Sequence, residues 1–414
     1  MEKSRLDEFH EVYRDLHRHP ELSFQEHRTA GIVADRLTAL GYTVTTGVGQ
    51  TGVVGVLDRG AGATVMLRAD MDALPVLEAT GLPYASTVTA TNANGLEVPV
   101  MHACGHDVHT TALLGAAEEL AGDPSWVGKL ILVFQPSEEI GKGAIAMIED
   151  GLISRFGTPD VVLGQHVAPL PAGVIGLREG AAFAASDGLR ITLHGRGGHG
   201  SRPETTVDTV VLAASVVMRL QTIVSREVAG TETAVVTVGM LRAGDAANII
   251  PDSAVLELSI RTFDPDVRTR VLDAVTRIVN GEAETAGAPR KPEIEFIHSF
   301  PSVVNDAPAG DRVSAEFARV LPQVRVVDPG VVTGSEDVGM LAEAAGAPCV
   351  YWLLGGADPA KFAQAKTIDD LTKVVASLPS NHSPKFAPVI EPTLEIGINA
   401  LATAARTWLA PAAH

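Results

Sequence analysis

The sequence predicts an α/β protein: a catalytic domain with a mixed sheet covered by helices, interrupted by a two-layer α+β domain. Three observations predict it. From the N-terminus to about residue 185, continuous apolar runs of strand length alternate with helical stretches. The texture then changes to strands that alternate apolar and polar residues, in the order strand, helix, strand, strand, helix, strand. From about Phe300 the first texture returns. The expected boundaries are 1–185 and 299–414 for the two parts of the catalytic domain and 186–298 for the insertion. A length of 414 residues with 46% hydrophobic content suits two cores better than one.

The elements follow in order. Leu6, Phe9, Tyr13 and Leu16 fall at helical spacing. A second helix is expected from about Glu26 to Leu40, stopped by Gly41. The runs YTVTT, GVVGVL, TVMLRA, KLILVFQ and DVVLGQH read as strands, apolar throughout as strands buried on both faces should be. Helices are expected between them at about Thr110–Ala121 and Gly143–Asp150. In the insertion, DGLRITLHG, TAVVTVGMLRA, SAVLELSIRTF and EIEFIHS alternate like strands with one wet face, and helices cover about Thr205–Ser225 and Asp266–Thr285. PCVYWLLGG returns as a buried strand, and a final helix covers Pro392–Leu409.

Composition narrows the function. The formal charge is −18, with 32 basic against 50 acidic residues. Such a chain repels phosphate backbones and anionic lipid, which argues against nucleic acid and membrane as partners. The N-terminal MEKSRLDEFHEVYRDL has no apolar signal-peptide core, and no apolar stretch reads as long enough to span a bilayer. Cys104 and Cys349 are the only cysteines. Because Cys104 stands among histidines, a thiolate ligand in a reducing compartment is expected rather than a disulfide, which places the protein in the cytoplasm.

Polar clusters stand directly after apolar strands. Asp70 and Asp72 follow TVMLR, Glu138 and Glu139 follow LILVFQ, and His166 ends VVLGQ. The stretch HACGHDVH precedes an apolar helix, and His382 lies in SNHSP. In open α/β sheets ligands bind beyond the carboxyl ends of the strands, so these clusters are expected on one rim. Each piece alone has an ordinary reading. A lone histidine is more often hydrogen-bonded and structural, and paired glutamates are usually at the surface. Cys104 and His106, two apart, point the same way if the segment is extended. Together, one Cys, several His and a Glu make a mixed sulfur, nitrogen and oxygen set suited to Zn²⁺, Mn²⁺ or Co²⁺. A second carboxylate beside the ligand Glu meets the need of metal-assisted hydrolysis for a general base.

The motifs HRHPELSFQE, LRADMDALP, MHACGHDVHT, FQPSEE, GQH, GRGGHGSRP, ANIIPD, RTFD, SEDVG and NHSPKF occur in this order. With them the chain resembles the di-metal amidohydrolase family of hippurate hydrolases, N-acyl-L-amino acid amidohydrolases and plant auxin-conjugate hydrolases, related to aminoacylases and glutamate carboxypeptidases. The resemblance implies that Cys104, His106, Glu139, His166 and His382 bind two divalent ions per subunit (Zn, Mn or Co), with Glu138 as general base. It implies that the inserted domain is a lid and a dimerisation surface, and that His199 in GRGGHGSRP donates a hydrogen bond to the oxyanion, in its own or in the partner subunit. The implied reaction is hydrolysis of the amide of an N-acyl amino acid or similar small conjugate. A carboxypeptidase or dipeptidase on the same scaffold is the alternative, followed by a non-catalytic metal- or ligand-binding relative. A substrate carboxylate needs a cationic or amide partner, and Arg261 and Asn248 are the candidates. An ion pair of Arg261 with Asp264 or Asp266 is the structural reading of the same residue.

Other residues stay open in the sequence. His102 and His109 read as structural neighbours of the ligands. Asp107 either orients a ligand imidazole or caps the following helix. Asp70 and Asp72 either support the ligands or merely end a strand, and Ser335, Glu336 and Asp337 have no assignable role. Two departures from the family pattern stand out: Val338 where the family usually has Phe, and a segment from Gly355 to Ser380, longer than the family's usual connection, leading into His382.

Overall fold

A computed structural model of the chain describes residues 3–411; the outermost ends of the expected catalytic segments, 1–2 and 412–414, lie outside the described residues. The chain divides into two compact units. One comprises the chain up to Ala182, Val304–Gly330 and the chain from Asp337 onward; the other comprises Phe183–Val303 and Val331–Glu336.

The first unit is built on an eight-stranded mixed sheet. Its order is Thr43–Val48, Gly52–Asp58, Lys129–Gln135, Thr64–Asp70, Val161–Pro171, Cys349–Ala357, Val174–Gly176 and Arg325–Val327. The four strands from Lys129–Gln135 to Cys349–Ala357 are mutually parallel. Val65–Asp70, Leu130–Gln135 and Val161–Gln165 are buried without interruption, which is why these runs carry no polar alternation. The helices His106–Gly122 and Thr393–Arg406 belong to the core of this unit. Ala112, Ala116 and Ala117 of one and Ala400, Ala404 and Ala405 of the other share one buried cluster. With 4% aromatic residues, such a core relies on small and aliphatic side chains at close approach.

The second unit is a four-stranded antiparallel sheet in the order Ala234–Ala243, Ser253–Thr262, Ala185–His194, Glu293–Phe300. The helices Thr209–Thr222 and Pro265–Thr285 share its core, contributing Leu212, Val216, Leu220, Val271, Val275 and Val279 against Leu189, Ile191, Leu256, Leu258 and Ile260. Each helix is started by an aspartate. Asp208 accepts the N–H groups of Val210 and Val211, and Asp264 those of Asp266 and Val267.

Several expectations change. The helix expected at Thr110 begins at His106. The helix expected from Thr205 starts at Thr209, after a separate 3₁₀ turn at Pro203–Thr205. The reading that no apolar stretch could span a bilayer fails for Thr209–Glu227, which is long and apolar enough by composition. One face of that stretch is buried on its own sheet through Leu212, Ala213, Val216 and Leu220, as in the core helix of a globular unit. The helices Ala307–Val320 and Val338–Ala345 were not anticipated. The first has a start signal in Asp306, which accepts the Ala309 N–H, and Pro308, but Gly310 masks its periodicity. The long segment before His382 folds into a 3₁₀ turn at Pro359–Phe362 and a helix at Ile368–Ser377, started by a capping box of Thr367 and Asp370.

Candidate active site

Three adjacent parallel strands deliver the carboxylates and one histidine. Thr64–Asp70 ends at Asp70, with Asp72 just beyond it. Lys129–Gln135 runs out into Pro136, Ser137, Glu138 and Glu139, and Val161–Pro171 carries His166. The segment bearing Cys104 and His106 is not extended, so the condition for their side chains to point the same way is not met. Gly105 takes φ +88° and ends the approach to the helix, so Cys104 lies in the preceding turn and His106 opens the first helical turn. A side chain at 105 would place its Cβ 2.4 Å from Val167 Cγ1, so this turn requires glycine on both conformational and steric grounds. His382, itself at φ +70°, is tied to the same turn by its N–H, which donates to the Ala103 carbonyl at 2.8 Å. Asn381 Nδ2 donates to the carbonyls of Cys104 at 3.0 Å and Val167 at 3.1 Å.

These loops bring the candidate ligands together. One potential donor atom each from Cys104, His106 and His166 lies within 4.8 Å of the others, and the same holds for Cys104, Glu139 and His382, and for His106, Glu138 and Glu139. Glu139 faces two histidines. One carboxylate oxygen is 3.3 Å from His382 Nε2 and the other 3.7 Å from His106 Nε2.

Hydrogen bonds fix which ring nitrogens remain as donors to a metal. His166 Nδ1 lies 2.8 Å from the Val167 carbonyl; it must donate there, and its Nε2 lone pair faces Cys104 Sγ at 3.5 Å. His106 Nδ1 lies 3.2 Å from Asp72 Oδ1, which leaves Nε2 as its lone pair. His106 Nε2 is buried, has no hydrogen-bond partner, and stands 3.7–3.9 Å from oxygens of Asp70, Glu138 and Glu139. Glu139 Oε1 is likewise buried without a hydrogen bond.

Asp72 organises the glutamates. Its Oδ1 accepts the N–H of Glu138 at 3.1 Å, and its Oδ2 accepts the N–H of Glu139 at 3.1 Å and the Ser23 hydroxyl at 2.6 Å. The same carboxylate thus holds an imidazole and the backbone of both glutamates.

The electrostatics call for a cation. Burial pushes the Cys104 thiol well above its ordinary pKa, and Glu139, Glu138 and Asp70 push it further. Burial alone would lower His106, but Asp70, the hydrogen bond to Asp72 and Glu139 outweigh it and raise its pKa to about 10. Burial and the neighbouring His109 hold His166 well below the ordinary imidazole value. A divalent ion among these groups would replace the proton on His106, favour the thiolate and use the lone pair of His166, so the residues fit such an ion.

Of the two histidines read as structural neighbours, His109 is held by hydrogen bonds. His109 Nδ1 pairs with Asp70 Oδ1 at 2.5 Å and its Nε2 accepts the Val167 N–H at 2.8 Å, leaving no lone pair for a metal. His102 is buried with both ring nitrogens unpartnered, and burial lowers its pKa to about 4. Asp107 stands in the first turn of the helix His106–Gly122 as the capping expectation has it, with its Oδ1 accepting the Val108 N–H at 2.9 Å. Its Oδ2 meets His17 Nδ1 at 2.6 Å, and Glu78 meets His17 Nε2 at 3.1 Å. Asp337 accepts from Arg68 Nη2 at 2.8 Å and, through its two oxygens, from Gln135 Nε2 at 2.8 and 2.9 Å, so it braces the sheet beneath the loops. Sequence reading missed Glu26 and His17. Glu26 is fully buried, and its carboxylate accepts the Ser137 N–H at 2.8 Å and the Thr51 hydroxyl. Their only signal was membership of HRHPELSFQE.

The second unit carries the remaining candidates. His199 is exposed, and its Nδ1 accepts from the Ser201 N–H at 3.2 Å, which puts the proton of the neutral ring on Nε2. His199 pairs with Ile249 across a short ladder, next in sequence to the exposed Asn248. Arg261 is half-buried and donates to the Ser335 hydroxyl; burial holds its pKa below the usual guanidinium value. Among the described residues it makes no ion pair with Asp264 or Asp266.

Comparison with known proteins matches residues 66–405 to the profile described as peptidase family M20/M25/M40. The chain is similar to hippurate hydrolase of Campylobacter jejuni, with 45% identity over 67% of this chain and 70% of that protein. It is similar to N-acetyl-L-cysteine deacetylase of Bacillus subtilis, with 36% identity over 80% and 77%. Among solved structures it resembles the Bacillus subtilis YXEP protein, described as a dinuclear metal binding peptidase from the M20 family, with TM-score 0.77 and 29% identity over 98% of each chain.

Proposed function

The chain belongs to peptidase family M20/M25/M40, and from that premise we propose that it is a metal-dependent amidohydrolase acting on N-acyl amino acids or similar small amide conjugates. The products are the acid and the free amino acid. The observation that carries this reading is the convergence of Cys104, His106, His166, Glu139 and His382 beside a second, buried carboxylate, Glu138. A protein that merely stored a metal would have no use for that extra acid.

We assign two divalent ions, Zn, Mn or Co, to Cys104, His106, Glu139, His166 and His382, and the dinuclear relative supports the number. When bound, such ions polarise the scissile carbonyl and lower the pKa of water. Glu138 accepts the proton of the attacking water and delivers it to the amine nitrogen as the C–N bond breaks. The Nε2–H of His199 donates to the developing oxyanion. Asp72 holds the backbone N–H groups of both Glu138 and Glu139.

The inserted unit is assigned as lid and dimerisation surface. Support comes from its own exposed apolar residues: Val211 and Met218 are 64% and 70% exposed, and Val235 and Leu241 are exposed on the edge strand Ala234–Ala243. Such an edge and such a face are ordinarily covered. The need for a reduced Cys104 supports the cytoplasm as location.

Arg261 and Asn248 are assigned to the substrate carboxylate. Arg261→Ala should lower kcat/KM for N-acyl amino acids by about 1.5–3 kcal/mol, the worth of a hydrogen bond to a charged group. A methyl-amide substrate should be barely affected; equal losses on both would make Arg261 a support of the fold. The function itself is tested by release of free amino acid from a panel of N-acyl amino acids and dipeptides, with Mn²⁺, Co²⁺ or Zn²⁺ added. Preference for the acylated amino acids is expected. Preference for dipeptides points to the peptidase alternative, and no turnover by metal-loaded protein would leave a binding protein.

A further inference from the structure

Glu26 is fully buried, yet its side chain does not cap the helix His27–Ala39 that it precedes. It turns away from that helix. Its Oε1 accepts the N–H of Phe24 at 3.0 Å and of Ser137 at 2.8 Å, and its Oε2 accepts the hydroxyl of Thr51. Ser137 stands directly before the paired glutamates and takes φ +54°, a conformation that residues other than glycine adopt only when held there. Its own hydroxyl does not do the holding, because Ser137 Oγ is buried without a hydrogen bond.

The strand ends at Gln135, and Pro136 has no N–H. The first three N–H groups of the loop are therefore those of Ser137, Glu138 and Glu139. The first goes to Glu26 and the other two to Asp72. On the far side, the Ser137 carbonyl accepts the Gly143 N–H at 3.0 Å, and the Glu138 carbonyl accepts the Gly141 N–H at 2.7 Å. The loop is thus closed on itself and suspended from two buried carboxylates.

We propose that Glu26 is a positioning residue for the reaction: it fixes the left-handed turn at Ser137 and through it the direction in which Glu138 presents its carboxylate. This rests on the reading of Glu138 as general base. Small displacements of a catalytic group cost rate steeply, so the effect belongs in kcat rather than in KM.

The test is a double-mutant cycle at saturating metal. Glu26→Ala should lower kcat about 10–100-fold with KM changed less than about twofold. Glu26→Gln, whose amide oxygen can accept the same two N–H groups, should recover most of the loss. In a Glu138→Gln background, Glu26→Ala should cost less than about twofold more, because the group it positions is already disabled. Should Glu26→Ala fail to fold, Glu26→Asp withdraws the oxygens by one methylene and takes its place in the cycle, with the same non-additivity expected. Equal fold losses in the two backgrounds, with Glu138→Gln itself severely impaired, would overturn the positioning role and leave the base assignment standing. A Glu138→Gln enzyme with wild-type kcat would overturn the base assignment and the proposal with it.

Discussion

At the scale of the residue, two neighbouring glutamates differ in what surrounds their carboxylates. Glu139 faces His106 and His382, whereas Glu138 is buried at the end of the same strand with an oxygen 3.9 Å from His106. Glu138→Gln keeps the size and removes the base, so turnover should fall by roughly 10²–10⁴ while metal content stays at the wild-type level. Loss of metal with activity, in an elemental analysis of dialysed protein, would reverse the assignment of the two. His17 offers a pH test. Burial lowers its pKa, but hydrogen bonds to Asp107 and Glu78, and their charges, outweigh burial and raise it to about 9. A raised folded pKa contributes stability that is complete below the unfolded value near 6.5 and is lost as pH rises through about 9. The stability advantage of the wild type over His17→Gln should therefore shrink by about 3 kcal/mol across that window, as read from urea midpoints. A pH-independent difference would mean that His17 is neutral in the folded protein.

At the scale of the element, the turn at Gly105 separates the thiol from the first imidazole and starts the buried helix His106–Gly122. Gly105→Ala brings a Cβ against Val167 on a buried strand and strains a left-handed residue. It should destabilise the fold by about 2–4 kcal/mol. It should also weaken metal binding, since Cys104 and His106 flank the turn. A variant that loses stability but titrates with metal like the wild type would show that the ligands are placed by something other than this turn. The helix was legible in the sequence from its apolar run; its first turn was not. His106, Asp107 and His109 are polar, so periodicity alone begins the helix at Thr110, whereas their buried partners Asp72, His17 and Asp70 make the extra turn stable.

At the scale of the whole molecule, the proposed reaction joins Glu138 as base with His199 as oxyanion donor. Mixing inactive His199→Ala with inactive Glu138→Gln separates two versions of it. If His199 serves the partner subunit, random exchange makes half of the dimers mixed, each with one intact site. Activity should then recover to about a quarter of wild type. No recovery after verified subunit exchange would restrict His199 to its own chain or remove it from the reaction.

The sequence by itself determined the alternation of strands and helices, the change of texture at the insertion and the polar clusters at strand ends. These are local properties: side-chain period, uninterrupted apolar runs and the residues that follow a strand. It also placed Cys104, His106, Glu138, Glu139, His166 and His382 in candidate positions through motif order. The tertiary structure alone decided which atoms meet. Glu26 reaches Ser137 across 111 residues, His17 reaches Asp107 across 90, and Asp72 reaches Glu138 across 66. Such contacts are set by strand order and by left-handed turns at Gly105, Ser137 and His382, none of which leaves a periodic trace in the chain. A buried carboxylate is stable only where donors from distant segments converge on it, and that convergence exists only once the sheet has formed.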